Sequence, residues 1–346
     1  MIQSIKLKNF RNFRDGEFHF YEGKNIIVWD NGKWKTNILE AISLFSKTSI
    51  VDLSFESLIS KDADVMYIEA KTSSGNTLSI SYDKTVGKKK YMLEGKNTTK
   101  KKLRENYPQS VLFEPMSMNI MYLSPSLRRE FLDSVLGNAF EKYTPVLKLY
   151  KNILKSRNKL LKNISEWKSE ESELDFWDTK FIYAATEVYT YRKQFISFLS
   201  ENIWDLSDVF WWKIWDISFD YITKTDLNNT EDYIEKYLKD NRKRDIILRK
   251  TMTWPHRDDF DILVDDSSLT SFASRWEVKS IILWIKFLET QYIEKTTGKS
   301  PIILIDDILS ELDEIHKNYV IDMSWERQII ISSIKTIDTI DNKIML

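Results

Sequence analysis

The chain has 346 residues, 42% of them apolar, enough to bury a sizeable core in one large domain or two smaller ones. Its 51 Lys and Arg balance 52 Asp and Glu, so the whole-chain charge offers no field for nucleic acid and any such contact needs a local patch. The absence of cysteine excludes disulfides and thiolate metal sites, and three scattered histidines make no zinc set, which leaves Mg²⁺ held by carboxylates and phosphates as the metal to expect.

The opening residues carry charges at every third or fourth place and lack the 7–15-residue apolar run of a signal peptide. No later run reaches the ~18 apolar residues of a bilayer span, so a soluble, cytoplasmic protein with no membrane partner is expected. Ile2, Ile5 and Leu7, alternating with Gln3, Lys6 and Lys8, read as a first strand. Phe18 and Phe20 read as a second strand after the Asp15-Gly16 turn, and Asn25–Val28 as a third. That third strand enters a polar loop and then a segment whose Ile38, Ala41, Ile42 and Phe45 recur at helical spacing. Further strand-like runs at Val65–Lys71, Thr77–Tyr82 and Tyr91–Leu93 suggest a β-rich lobe.

From about residue 125 to 205 the pattern is helical. Val146, Tyr150, Ile153, Leu160, Leu161 and Ile164 mark one face and Lys148, Lys151, Lys155, Lys159 and Lys162 another, with a break at Lys168–Leu174, as in an antiparallel helical arm. Residues 209–265 are of mixed character with strands near 216–221 and 260–264. The last hundred residues hold a helix (Glu277–Thr290), an apolar strand (Ile302–Ile305), an acidic turn and a final strand (Gln328–Ser332).

Two segments carry chemistry. A phosphate loop is G-x-x-x-x-G-K-[ST] between a strand and a helix: its glycines let backbone N–H groups close around phosphate, its Lys meets the β/γ oxygens and its hydroxyl holds Mg²⁺. Here the stretch is Trp29-Asp30-Asn31-Gly32-Lys33-Trp34-Lys35-Thr36, complete except that both defining glycines are Trp. Taken alone it reads equally well as an ordinary helix start. Ile302–Ile305 followed by Asp306-Asp307 has the form of the strand that holds Mg²⁺ through its first carboxylate, here Asp306, and positions the attacking water through its second, Asp307.

With Asn9–Phe13 at the start and Asp306-Asp307-Ile308-Leu309-Ser310-Glu311-Leu312-Asp313 near the end, the chain resembles the RecF family over essentially its whole length. Ser274-Arg275-Trp276-Glu277 is similar to that family's S-x-G-[QE] signature, and Trp254-Pro255-His256-Arg257-Asp258-Asp259 to its G-P-H-R-D-D run. The resemblance implies an α/β fold, an ABC-type P-loop ATPase head with a β-rich N-terminal lobe and an inserted helical arm. Its parts would be residues 1–124, 125–205 and 206–346. ATP and Mg²⁺ are the implied cofactors, with Arg11 and residues 29–36 on the nucleotide and Thr36 and Asp306 on the metal. Ser274, Trp276 and Glu277 would meet the γ-phosphate of ATP held by a second copy, and Ser310, Glu311, Leu312 and Asp313 would form the D-loop crossing that dimer interface. RecF-like proteins bind junctions of single- and double-stranded DNA at gaps, act with RecR and RecO to promote RecA loading, and hydrolyse ATP slowly.

The basic runs Lys88–Lys90 and Lys100–Lys102, and the lysine face of the arm, are candidate DNA patches, each more often a merely solvated surface. Two alternatives stay open: another SMC-like head, which would need a longer coiled coil, or a catalytically inactive DNA-binding or scaffold protein, which is what Trp29 and Trp34 describe if they are real.

Three motifs thus match except at four positions where glycine is expected, and each time the substitute is Trp. The chain has 8 Gly and 12 Trp; pooled, they make about 6% of the residues, near the usual glycine share of about 7%. Because Trp is among the least suitable replacements for Gly, the uniformity points to UGA codons, read as glycine in certain bacterial lineages, rendered as Trp. Trp177 sits where the family has a genuine Trp-Asp pair and reads as real, whereas nothing in the sequence decides Trp204, Trp211, Trp212, Trp215, Trp284 and Trp325.

Overall fold

A computed structural model describes residues 1–29, 34–46, 54–115, 117–203, 216–252, 254–312, 317–318, 320–321, 327–337, 340 and 342–345. By internal packing the chain divides into two compact units, Met1–Met118 with Glu289–Leu346, and Asn119–Leu288.

The first unit opens with β1 (Ile2–Phe10) and β2 (Phe13–His19), followed by β3 (Lys24–Val28) and α1 (Trp34–Ser43). Then come β4 (Val65–Thr72), β5 (Thr77–Asp83), β6 (Lys88–Leu93), β7 (Lys96–Thr98), α2 (Lys100–Glu105) and β8 (Ser110–Phe113). Six of these strands pair antiparallel in the order β2-β1-β4-β5-β6-β7. The period-two pattern puts Ile5, Leu7, Met66, Ile68, Leu78 and Ile80 in the core. β3 instead buries Ile26, Ile27 and Val28 in succession, the mark of a strand covered on both faces.

The second unit holds α3 (Pro125–Ala139), α4 (Tyr143–Ser165), α5 (Leu174–Asn202), β9 (Ile217–Ile222), α6 (Thr230–Leu248), β10 (Asp259–Val264), β11 (Ser267–Ser268), α7 (Leu269–Phe272) and most of α8 (Arg275–Thr297). α4 and α5 pack along each other where the helical arm was expected, and α6, which the sequence pattern did not reveal, packs on both. At their junction Arg157, wholly buried, donates to Asp178 of α5 (2.7 Å), Asp245 of α6 (2.9 Å) and Thr251 (2.7 Å).

The chain then returns to the first unit through β12 (Ile302–Asp306), β13 (Ile329–Ser333) and β14 (Asn342–Met345), giving a parallel five-stranded sheet in the order β14-β3-β13-β12-β8. Its strands share one core with the antiparallel sheet and with α1, to which they contribute Ile27, Leu112, Leu304 and Ile330. Gln328 ties the two sheets together: its side chain accepts from the Ile2 N–H (2.8 Å) and donates to the Ile2 carbonyl (2.7 Å).

Candidate nucleotide-binding site

In a parallel sheet the ligand site lies beyond the carboxyl ends of the strands. Three neighbouring strands end together here. Asp306 closes β12 opposite Ser332 of β13, and Ser332 and Ser333 lie opposite Ile27 and Val28 at the end of β3. Trp29 follows β3, and α1 starts at Trp34, so Lys35 and Thr36 occupy its first turn. Residues 270 positions apart therefore meet: Thr36 Oγ1 lies 3.1 and 3.0 Å from the two Asp306 carboxylate oxygens and donates there.

Ser332, fully buried, donates its hydroxyl hydrogen to Asp306 Oδ1 (2.7 Å) and accepts from the Asp307 N–H (3.0 Å). One hydroxyl thus fixes both acidic residues. Asp307 sits in the left-handed region at φ 52°, which turns the chain sharply from β12 into the 3₁₀ turn Ile308–Glu311. Lys35 is 5% exposed and donates Nζ to the Trp29 carbonyl at 2.9 Å. A hydroxyl and a carboxylate within 3.1 Å of each other are hard oxygen donors of the kind that hold Mg²⁺ together with substrate phosphates.

Arg11, itself at φ 50°, grips Glu40 of α1 through Nε (2.9 Å) and Nη2 (2.8 Å) and the Ser57 carbonyl through Nη1 (2.9 Å). Hydrogen bonding to Glu40 holds the guanidinium firmly protonated, its pKa raised despite partial burial. Glu40 is a partner the sequence reading missed. Its only signal was a carboxylate on the buried face of an otherwise apolar helix.

Ser274 and Glu277 form a capping box at the start of α8: the Ser274 N–H donates to the Glu277 carboxylate and the Glu277 N–H to Ser274 Oγ at 3.4 Å. The two polar residues of the signature thus cap the helix end. Of the D-loop, Ser310 and Glu311 lie in the 3₁₀ turn and Leu312 is buried. Asp30, Asn31, Gly32, Lys33 and Asp313 lie outside the described residues, as do Trp204, Trp211, Trp212, Trp215 and Trp325.

Trp34 turns its ring onto Phe13, with centroids 4.9 Å apart in an edge-on contact. Two other tryptophans have backbones that suit glycine. Trp254 has φ 102°, outside even the left-handed helical well, is 2% exposed, and its indole Nε1 is buried with no hydrogen-bond partner among the described residues. Trp167 has φ 58° in the turn after α4, where its N–H bonds to the Ile164 carbonyl (3.0 Å), the position at which helices most often end in glycine.

No protein-family model matches the chain. It is, however, 30% identical over 351 residues to the DNA replication and repair protein RecF of Ruminiclostridium cellulolyticum, a match spanning 96% of this chain and 92% of the relative. The protein of the same description from Streptococcus gordonii is 32% identical over 331 residues, 90% of this chain and 87% of the relative.

The chain belongs to the RecF family.

The solved structures agree. A structure of the recombination mediator protein RecF with ATPγS in the RecFOR pathway superimposes with a TM-score of 0.86 at 24% identity over 100% of this chain and 96% of that one. The corresponding ATP complex superimposes with a TM-score of 0.85 at 25% identity over 98% and 93%. The expected α/β architecture of an ABC-type head is therefore correct, and the general role of the family in DNA replication and repair applies. Among the described residues no helix is long and apolar enough to cross a membrane.

Proposed function

We propose that this RecF-family chain is an ATP-dependent, DNA-binding head of recombinational repair that closes in pairs around nucleotide. The observation that carries the reading is the meeting of Thr36 with Asp306 beside Lys35, at the shared ends of β3, β12 and β13. Bound MgATP would supply the charged phosphates that bridge two copies. Lys35 would exchange the Trp29 carbonyl for phosphate oxygens, Thr36 and Asp306 would hold the metal, and Asp307, fixed by Ser332, would orient the attacking water. Ser274 and the N-terminus of α8 would complete the site on the second copy, with Ser310–Asp313 lying across the interface. The divisions 1–124, 125–205 and 206–346 would then be two halves of the head and the arm between them. DNA at gaps would be the target, with RecR and RecO as partners in RecA loading, slow hydrolysis as the release step, and the cytoplasm as the setting.

The same proposal includes glycine at positions 29, 34, 254 and 276 of the native protein. Trp254 supports it from an independent direction, because a bulky side chain at φ 102° is a genuine outlier and a buried indole N–H without an acceptor costs roughly 1–3 kcal/mol. Trp167 extends the set to a position outside the three motifs. Light scattering with and without MgATP tests the pairing. Glycine-bearing chain should be monomeric alone and dimeric with MgATP, and Asp307→Asn should hold the dimer longer. A monomer at saturating MgATP would refute the clamp.

A further inference from the structure

In the second unit His256 and Arg257 line a cleft of about 400 Å³ together with Arg129, Asn158, Lys250 and Thr251. Among the described residues no carboxylate lines it. The two aspartates next in sequence are engaged elsewhere: Asp258 accepts from the Tyr221 hydroxyl (3.0 Å), and Asp259 is held by Arg128. Arg257 and Lys250 are exposed and make no ion pair or side-chain hydrogen bond among the described residues. Arg129 gives one N–H to the Asp258 carbonyl (2.8 Å), which aims the guanidinium while leaving its other donors unused among the described residues.

The floor of the cleft is rigid. Thr251 donates its N–H (2.9 Å) and hydroxyl (2.8 Å) to Asn158 Oδ1 and accepts from the buried Arg157 (2.7 Å), so the Asn158 carboxamide presents its N–H₂ to the cleft. His256 adds no charge. Its Nε2 can only donate to the Thr251 carbonyl (3.3 Å), so Nδ1 accepts from the Tyr150 hydroxyl (2.6 Å), and burial together with Arg257 and Arg129 keeps the ring neutral. Three cations and an amide donor thus converge on one concavity without a counter-charge, an arrangement that favours an anion with several acceptor oxygens.

We infer that this cleft is a phosphate-binding site for the backbone of a DNA strand. The inference rests on the DNA-binding reading above and assigns that binding to residues other than the exposed lysine runs. Phosphate contacts of this kind position a strand without reading its bases. Free phosphate shares the chemistry, so the test separates the two sources.

Fluorescence anisotropy of a labelled gapped duplex, measured from low to moderate salt at saturating MgATP, would compare the full chain bearing glycine at 29, 34, 254 and 276 with the same chain carrying Arg257→Ala, Lys250→Ala, both changes together, or Lys148→Ala as a control. Each cleft variant should reduce the magnitude of the log–log salt slope by about 1 for a lost phosphate contact, the double variant should bind at least tenfold more weakly, and Lys148→Ala should match the parent. Calorimetry with inorganic pyrophosphate forms the second arm, in which binding at least tenfold weaker than to the duplex supports the strand as ligand. Unchanged DNA affinity and slope in the double variant overturn the cleft while leaving DNA binding intact. No DNA binding by the parent chain overturns both readings. Pyrophosphate bound as tightly as the duplex, and lost in the double variant, overturns the strand assignment in favour of a free phosphate.

Discussion

Replacing Arg157 by leucine should be among the most damaging single changes in the second unit, and its cost should depend on pH. Arg157 is 0% exposed and is, among the described residues, the only cation bonded to Asp245, itself 1% exposed, whereas Asp178 is also held by Arg242 (2.9 Å). Removing one partner of a buried ion pair costs about 3–5 kcal/mol, because the other charge is left in a medium that solvates it poorly. The Thr251 anchor is lost as well. Burial already raises the Asp245 pKa, and Arg157 opposes that rise, so the variant should raise it further.

A carboxylate raised in the folded state stabilises below its unfolded value and loses that contribution as pH climbs through its folded value. The gap between parent and variant should therefore widen as pH rises from 5 to 7. Urea unfolding followed by circular dichroism at the two pH values measures both quantities. A gap below about 1 kcal/mol at pH 7, or one that shrinks as pH rises, would refute the reasoning.

Further outcomes follow from the site. Thr36→Val should leave the fold intact and weaken Mg²⁺-dependent ATP binding by about 10–100-fold, the scale of a hydrogen bond to a charged group, while binding without Mg²⁺ changes little; calorimetry with and without the metal decides. His256, whose pKa burial pushes down to about 4, is neutral in the fold, so its contribution is complete above its unfolded value near 6.5 and declines as pH falls toward 4, by up to about 3 kcal/mol. Its ring protons, followed by NMR, should titrate near 4, and a midpoint near 6.5 would contradict the buried tautomer. Trp254→Gly should melt at or above the temperature of the chain carrying Trp, whereas loss of a native core indole would cost about 3–5 kcal/mol. Peptide masses of the native protein should show glycine at 254 and 167.

The candidate nucleotide site was legible because its parts are local signals. Lys35-Thr36 follows a strand and a polar loop, and Asp306-Asp307 closes an unbroken apolar run, so each could be placed on its element before any tertiary contact was known. Ser332 was not, since a serine at the end of an apolar strand has no signature until the parallel register sets it opposite Asp306. α6 escaped because it buries little apolar surface: Ile234 and Leu238 are its fully buried apolar residues, Tyr233, Tyr237 and Ile246 are half-buried, and most of its other positions are charged and exposed. Arg157 occupies the buried seam of α4 with Tyr150, Ile153, Leu160 and Leu161, yet the helix reads as an apolar face and a lysine face because the aspartates that neutralise it lie on α5 and α6. The tryptophans were suspect by position in the motifs. For Trp167, only the backbone angle marked it.

The most direct test of the account is equilibrium binding of MgATP to three forms of the chain: as written with Trp29 and Trp34, with glycine at 29, 34, 254 and 276, and with those glycines plus Lys35→Ala. The account predicts saturable binding by the glycine form and binding at least a hundredfold weaker by the other two. Equal affinity in all three would contradict it, because neither the loop at residues 29–36 nor Lys35 would then be holding the phosphates.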